Sequence, residues 1–300
     1  MRFPRGSLAF ILLPVLAAAA PPQNAHRATP AVFSGAAALE FTAKAVSFGP
    51  RPPGSPAIHK LQAYILSELK KDRCEIVEDN FAAETPLGPI AMKNIVARFP
   101  GISGKIVAIT GHYDTKSMPD VRFVGANDGG SSTGLLLEMA RAISLQKHKD
   151  DIYVVWFDGE EAFAQWSATD GIYGSRHLAN QWAATGTLSK IKALINVDMI
   201  GDQDLDIIQE SGSSGSLNAL VWKTAKELGY GSHFLDQSGA VEDDHTPFLV
   251  RGINAIDLID FDYGPQNAYW HTGQDTMDKL SAGSLGIVGN VIVQVLKKLD

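Results

Sequence analysis

The chain has 300 residues, 45% hydrophobic and 20% charged, a composition that excludes a disordered or fibrous protein. Its 26 basic and 33 acidic residues give a formal net charge of -7, with no lysine or arginine run, which argues against a nucleic-acid partner. Cys74 is the only cysteine, so an intrachain disulfide framework and a cysteine-ligated zinc finger are both excluded.

The N-terminus carries Arg2 and Arg5, an apolar stretch from Leu8 to Ala20, and then Pro21 and Pro22. A positive end, a short apolar centre and a small-residue zone are the layout of a secretory signal peptide, placed over residues 1–24. The competing reading is a buried helix, but Pro14 and the Pro21-Pro22 pair oppose a helix that continues into a domain. Export without disulfides points to a secreted or periplasmic protein of a bacterial envelope. No apolar run beyond this segment approaches bilayer length, so no stable membrane insertion is expected after cleavage. Residues 25–300 read as one catalytic domain, without a low-complexity linker or an internal repeat.

In Arg51-Pro52-Pro53-Gly54-Ser55-Pro56, Ser55 is a helix cap and Pro56 suits the first turn; Ile58, Leu61, Tyr64, Ile65 and Leu69 then share one helical face. Ile95–Phe99 and Lys105–Thr110 read as strands, Gly134–Ile143 as a helix, and 151–157, 191–197 and 253–259 as further strands. Glu210–Ser216 reads as a surface loop before a helix carrying Leu217, Leu220 and Val221. Gly264–Ala268 is expected at the rim of a pocket. Leu285, Val288, Ile292, Val295 and Leu299 form the stripe of a last helix. Strands mixed with long helices predict an α/β three-layer sandwich: a mixed, mostly parallel central sheet with helices on both faces.

Ligands of open α/β sheets gather beyond the carboxyl ends of the strands. Here those ends run into Gly111-His112-Tyr113-Asp114, Asp158-Gly159-Glu160-Glu161 and Asp198. Ala126-Asn127-Asp128, Glu242-Asp243-Asp244-His245 and Trp270-His271-Thr272 add loop segments. Imidazoles and carboxylates without thiolates make a nitrogen/oxygen site suited to Zn²⁺, with cobalt or manganese as substitutes. Each residue alone is more economically a turn former or a surface polar group. The adjacent Glu160 and Glu161 alter that balance, because two crowded anions are relieved when one meets a cation and the other holds a proton.

The constellation resembles the zinc-dependent aminopeptidase family M28 over nearly all of the chain after the signal. The matching pieces are His112-Tyr113-Asp114, Ala126-Asn127-Asp128, Asp158 to Glu161, Asn196 to Gly201 and His271-Thr272. Within that family it is more similar to the glutaminyl cyclase branch, which converts N-terminal glutamine to pyroglutamate. Asp158–Ser167 with Tyr173–Ala179, Val241–Phe248 with Arg251-Gly252, and Trp270-His271-Thr272 carry this narrower likeness. The resemblance implies that Asp128, Glu161 and His271 bind one zinc and that Glu160 is the general base and then acid. It further implies that Asp198 holds the substrate's α-amino group and that Asp243 joins the hydrogen bonds around Glu160. Trp166 and Trp270 would wall the glutamine pocket, although from spacing alone they read as core residues. The substrate would be a peptide or protein with a free N-terminus.

The aminopeptidases of the same family use these ligands for two metals, and His112 and Asp198 would then complete a second site bridged by Asp128. The chain keeps all six residues, so both activities stay open. It departs from the animal cyclases in having Gly111 and Thr133 where they have a cysteine pair, Asp257 where they have a histidine, and a shorter segment between His112 and Asp128. Gly130-Ser131-Ser132-Thr133-Gly134 matches a serine-hydrolase elbow, but no apolar strand precedes it. A non-catalytic peptide-binding module would be suggested by loss of Glu160 or of a ligand, and none is lost.

Overall fold

The computed structural model describes Met1 and residues 33–300, so the signal-peptide segment lies, apart from Met1, outside the described residues. Helix α1 (Gly35–Val46) is capped by Ser34, whose hydroxyl accepts the Ala37 N–H, and α2 (Pro56–Leu69) by Ser55, which accepts from Ile58. A long hairpin follows, β1 (Glu75–Thr85) and β2 (Gly88–Phe99). The chain continues through β3 (Ile106–His112), α3 (Gly130–Ser144), β4 (Asp151–Phe157) and α4 (Tyr173–Ala184). It then passes through β5 (Ile191–Asp198), β6 (Ile207–Glu210), α5 (Gly215–Glu227), β7 (Phe234–Gly239), the single turn α6 (Thr246–Leu249), β8 (Ala255–Ile259) and α7 (Ala282–Leu299).

Six strands form one sheet in the order β1-β2-β4-β3-β5-β8, and β6 and β7 pair separately. The pairs from β4 to β8 are parallel and the β1-β2-β4 side is antiparallel. Period-two alternation sends Ile152, Val154 and Trp156 of β4 into a core built with α1, α2, α3, α5 and α7. Tyr153, Val155 and Phe157 point the other way, toward Leu178 and Trp182 of α4 and Phe248 of α6. Burial on both faces explains the unbroken apolar runs in the sequence and produces the three layers. Helix α3 presses on α1 at Gly134, where a Cβ would lie 2.0 Å from Thr42 Oγ1 and 2.4 Å from the Ala38 carbonyl oxygen; only glycine admits this approach.

Three expectations change. The single strand at Ile95–Phe99 is the end of a twelve-residue strand paired with all eleven residues of β1. Glu210 is no surface loop residue: it ends β6, is buried, and is held by the Gly212 N–H and the Ser213 hydroxyl. Helix α7, 18 residues long with a mean hydropathy of 1.2, is long and apolar enough to cross a membrane, contrary to the reading that no such run exists. Its buried stripe, Leu285, Val288, Ile292 and Val295, instead packs into the core beside α1 and α5.

Candidate active site

Strand order reverses around β3, with β4 on one side and β5 on the other, and such a reversal opens a crevice at the carboxyl ends. His112 is the last residue of β3 and Asp198 the last of β5. Glu160 and Glu161 follow β4, and Asp128 ends the loop into α3. Gly129 makes that corner with φ +75°, and a Cβ there would stand 2.3 Å from the Asp114 carbonyl oxygen. His271 and Met199, next to Asp198, also hold positive φ (51° and 49°), backbone strain of the kind that collects at functional sites.

Two triads form. His112 Nε2 lies 3.0 Å from Asp198 Oδ1 and 3.2 Å from Asp128 Oδ1. His271 Nε2 lies 3.2 Å from Asp128 Oδ2 and 3.0 Å from Glu161 Oε1. Asp128 thus divides its two oxygens between two imidazoles, and the donor atoms of each triad all lie within 4.8 Å of one another. Burial opposes charge on both histidines, but the carboxylates outweigh it: His112 is pushed well up and His271 to about 9. Buried Asp128 is nevertheless pulled down, because both imidazoles face it. Its Oδ2 has no hydrogen bond of good angle despite full burial. An orphaned buried oxygen inside a nitrogen/oxygen donor set is what a divalent metal satisfies, and both triads fit one.

Surrounding residues fix these donors. Asp114 accepts the Glu160 and Glu161 N–H groups and stands 3.4 Å from His112 Nδ1. Asp275 accepts from the N–H groups of Asn127 and Asp128 and from the Tyr263 hydroxyl. Arg51, fully buried, donates to the carbonyls of Tyr113, Val124 and Gly125, clamping both ends of the loop that carries Asp128. Burial lowers its pKa to about 10, with Asp275, Asp114 and Asp128 opposing. Arg51→Ala leaves three carbonyls without a donor and is expected to cost about 3–5 kcal/mol. A melting curve should fall by roughly 10 °C, and a loss under about 2 °C would show that the clamp carries no stability.

Above the triads lies a cavity of about 600 Å³. Asp128, Glu160, Glu161, Asp198, Asp243 and His271 line its floor, and Trp166, Phe261 and Trp270 stand in its walls. Trp270 stacks on His271 with centroids 4.1 Å apart, and Phe261 packs against Trp270 at 5.0 Å. Trp166, 37% exposed, donates its indole N–H to Glu242 across the mouth. Both tryptophans that read as core by spacing therefore stand in the cavity wall, while the segment 264–268 does not line it. Glu160 is buried and its carboxyl is raised well above the usual range, by desolvation first and then by Glu161, Asp243 and Asp244, with His112 opposing. Asp243 is raised likewise, by burial and then by Asp257 and Asp198. The structure brings together every site residue expected from the sequence. Sequence reasoning missed Lys116, 3.4 Å from Glu161 Oε2, as well as Arg51 and Asp275, whose partners are largely backbone groups. The serine elbow is excluded as a nucleophile: Ser132 is buried and donates to the His112 carbonyl.

A mostly parallel sheet whose switch point holds two imidazole–carboxylate triads sharing one aspartate offers a nitrogen/oxygen donor set that fits a divalent metal. Residues 94–296 match peptidase family M28, and the chain belongs to that family. Within it the chain lies with the glutaminyl-peptide cyclotransferases. The Bos taurus glutaminyl-peptide cyclotransferase is 30% identical over 289 residues, covering 82% of this chain and 77% of that protein. The crystal structure of an Acidobacteriales bacterium glutaminyl cyclase is 41% identical with a TM-score of 0.86, covering 94% of this chain and 99% of that one. A Zn-dependent exopeptidase from Parabacteroides distasonis is also similar, at 27% identity and a TM-score of 0.81, covering 89% of this chain and 99% of that one.

Proposed function

We infer that the protein is a glutaminyl-peptide cyclotransferase that converts the N-terminal glutamine of peptides or proteins to pyroglutamate with release of ammonia. The observation that carries this reading is the aromatic-walled cavity over Asp128, Glu161 and His271, with the buried acids Glu160 and Asp243 on its floor. The likeness to glutaminyl cyclases supports it. One Zn²⁺ held by Asp128, Glu161 and His271 would supply Lewis-acid polarisation of the substrate's γ-carbonyl.

The residues of the chain do the rest. Asp198 receives the substrate's α-amino group, and Trp166 and Trp270 hold the glutamine side chain folded against it. Water is thereby kept from the carbonyl, and a bimolecular encounter becomes a positioned ring closure. Glu160 takes a proton from the α-nitrogen as the new C–N bond forms, and returns it to the γ-nitrogen as the old C–N bond breaks and ammonia leaves. A carboxyl whose affinity for protons is raised by burial is suited to both transfers. Asp243 keeps that site acid-rich. The signal-peptide pattern of residues 1–24 supports a secreted or periplasmic enzyme whose single catalytic domain spans residues 25–300.

A second reading is favoured by one observation: the triad of His112, Asp128 and Asp198 is as compact as the first. With two metals, Glu160 would instead deprotonate a water and the chain would act as an aminopeptidase. Mass spectrometry of a glutamine-headed peptide incubated with the zinc-loaded protein decides. Loss of one ammonia with the chain intact supports the cyclase; release of the first residue overturns it.

A further inference from the structure

Behind the cavity floor lies a second set of buried polar groups that the mechanism above does not use. Glu210, His245 and Asp257 are each at most 3% exposed. His245 Nε2 stands 3.0 Å from Glu210 Oε2. A carboxylate only accepts, and Glu210 is held at about 2, since His245, the Gly212 N–H and the Ser213 hydroxyl together outweigh the opposing effect of burial. Nε2 must therefore carry the hydrogen. The other face of the ring, Nδ1, faces Asp257 Oδ2 at 3.9 Å, longer than a hydrogen bond, and both atoms are buried without a hydrogen-bond partner.

From Asp257 the contacts lead to the cavity. Asn196 Nδ2 donates to Asp257 Oδ1 and to Asp243 Oδ2, both at 3.0 Å. The orientation of that amide is set because its Oδ1 accepts from the Thr110 hydroxyl at 2.8 Å. Ser213 adds a second tie, donating to Glu210 and accepting the Asp257 N–H. Four separate elements thus converge on Asp243: β6 with Glu210, the turn before α6 with His245, β8 with Asp257 and β5 with Asn196. A pair that served only to join β6 to α6 would not need the Asp257–Asn196 extension to a cavity carboxyl.

We propose that His245 and Glu210 form a buried dyad of positioning residues that, through Asp257 and Asn196, holds Asp243 in place beside Glu160 for the proton transfers of ring closure. Glu210 fixes the tautomer and tilt of the imidazole, and the imidazole presents its second nitrogen to Asp257. The two hydrogens of the Asn196 amide serve Asp257 and Asp243, one each, so a displaced Asp257 lets the amide turn and loosens its hold on Asp243. The dyad touches no reacting atom and acts on turnover, not on substrate capture. The proposal rests on the cyclase reading.

The test compares zinc-loaded wild type, His245→Gln, Glu210→Gln and the double variant on a glutamine-headed peptide, with zinc content and melting temperature recorded for each. His245→Gln is expected to lower kcat by about 10- to 100-fold, with KM within about twofold and zinc content unchanged. Glu210→Gln is expected to lose less, because an amide oxygen still accepts from Nε2. The double variant should be no worse than His245→Gln, as groups acting as one unit are non-additive. His245→Asn, which can still donate from a shorter side chain, covers the case in which His245→Gln fails to fold, and the same loss is expected. Folded histidine variants with unchanged kcat overturn the dyad while wild-type ammonia release leaves the cyclase reading intact. Losses in kcat and KM that follow zinc content or melting temperature also overturn it, because they mark a structural role only. Wild type that releases an amino acid in place of ammonia overturns the cyclase reading, and the role in ring closure falls with it.

Discussion

Glu160→Gln is expected to lower kcat by about 10²- to 10⁴-fold while leaving bound metal and melting temperature close to wild type. The amide keeps the shape of the side chain and still bonds neighbouring acids, but can no longer take up and return a proton. Because Glu160 is buried beside Glu161, Asp243 and Asp244, the substitution also removes one source of like-charge repulsion, so the folded state loses nothing on that account. Ammonia release, zinc content and thermal unfolding on the same preparation check all three points. Turnover within about threefold of wild type would remove Glu160 from the proton path.

Stripping the metal with a chelator is expected to abolish activity and to lower the melting temperature by roughly 10 °C, as for a ligand held far above its dissociation constant. Without a cation, Asp128, Glu161 and Asp198 share the crevice with Glu160 and Asp243, and His112, His271 and Lys116 stand closest against them. The pH dependence has a definite sign. In the metal-free protein His271 holds its proton up to about 9, so an incoming metal must displace it. Metal affinity should therefore rise with pH toward 9 and weaken below it. Zinc titrated back into chelated protein at several pH values measures both the slope and the stoichiometry. Affinity that falls as pH rises from 6 to 9 would refute the ligand assignment of His271.

The central strands were legible because burial on both faces leaves β3, β4 and β5 mostly apolar, with Thr110, Lys192 and Asn196 too isolated to break the runs. The hairpin partner β1 was not, since Glu75–Thr85 is an edge strand with solvent at most positions and carries Glu78, Asp79 and Glu84 like a loop. Glu210 was hidden for a related reason: the serines and glycines after it are turn formers, and they serve here to bond its carboxylate. Carboxylates and imidazoles at strand ends could be read as a site because few other residue types bind a cation. Arg51 and Asp275 could not, because they grip mainly main-chain atoms, and main chain leaves no trace in a residue pattern. The tryptophans were ambiguous by nature, since a ring that walls a cavity and a ring that fills a core obey the same spacing.

Helix α1 packs on α7, and Phe33 just before it fills the space over Gly289, where a Cβ would come within 2.2 Å of the ring. Among the described residues, the apolar side of α1 is therefore fully covered only when α7 has docked on it. Two segments far apart in sequence thus complete one another, and shortening either would bare the apolar side of its partner.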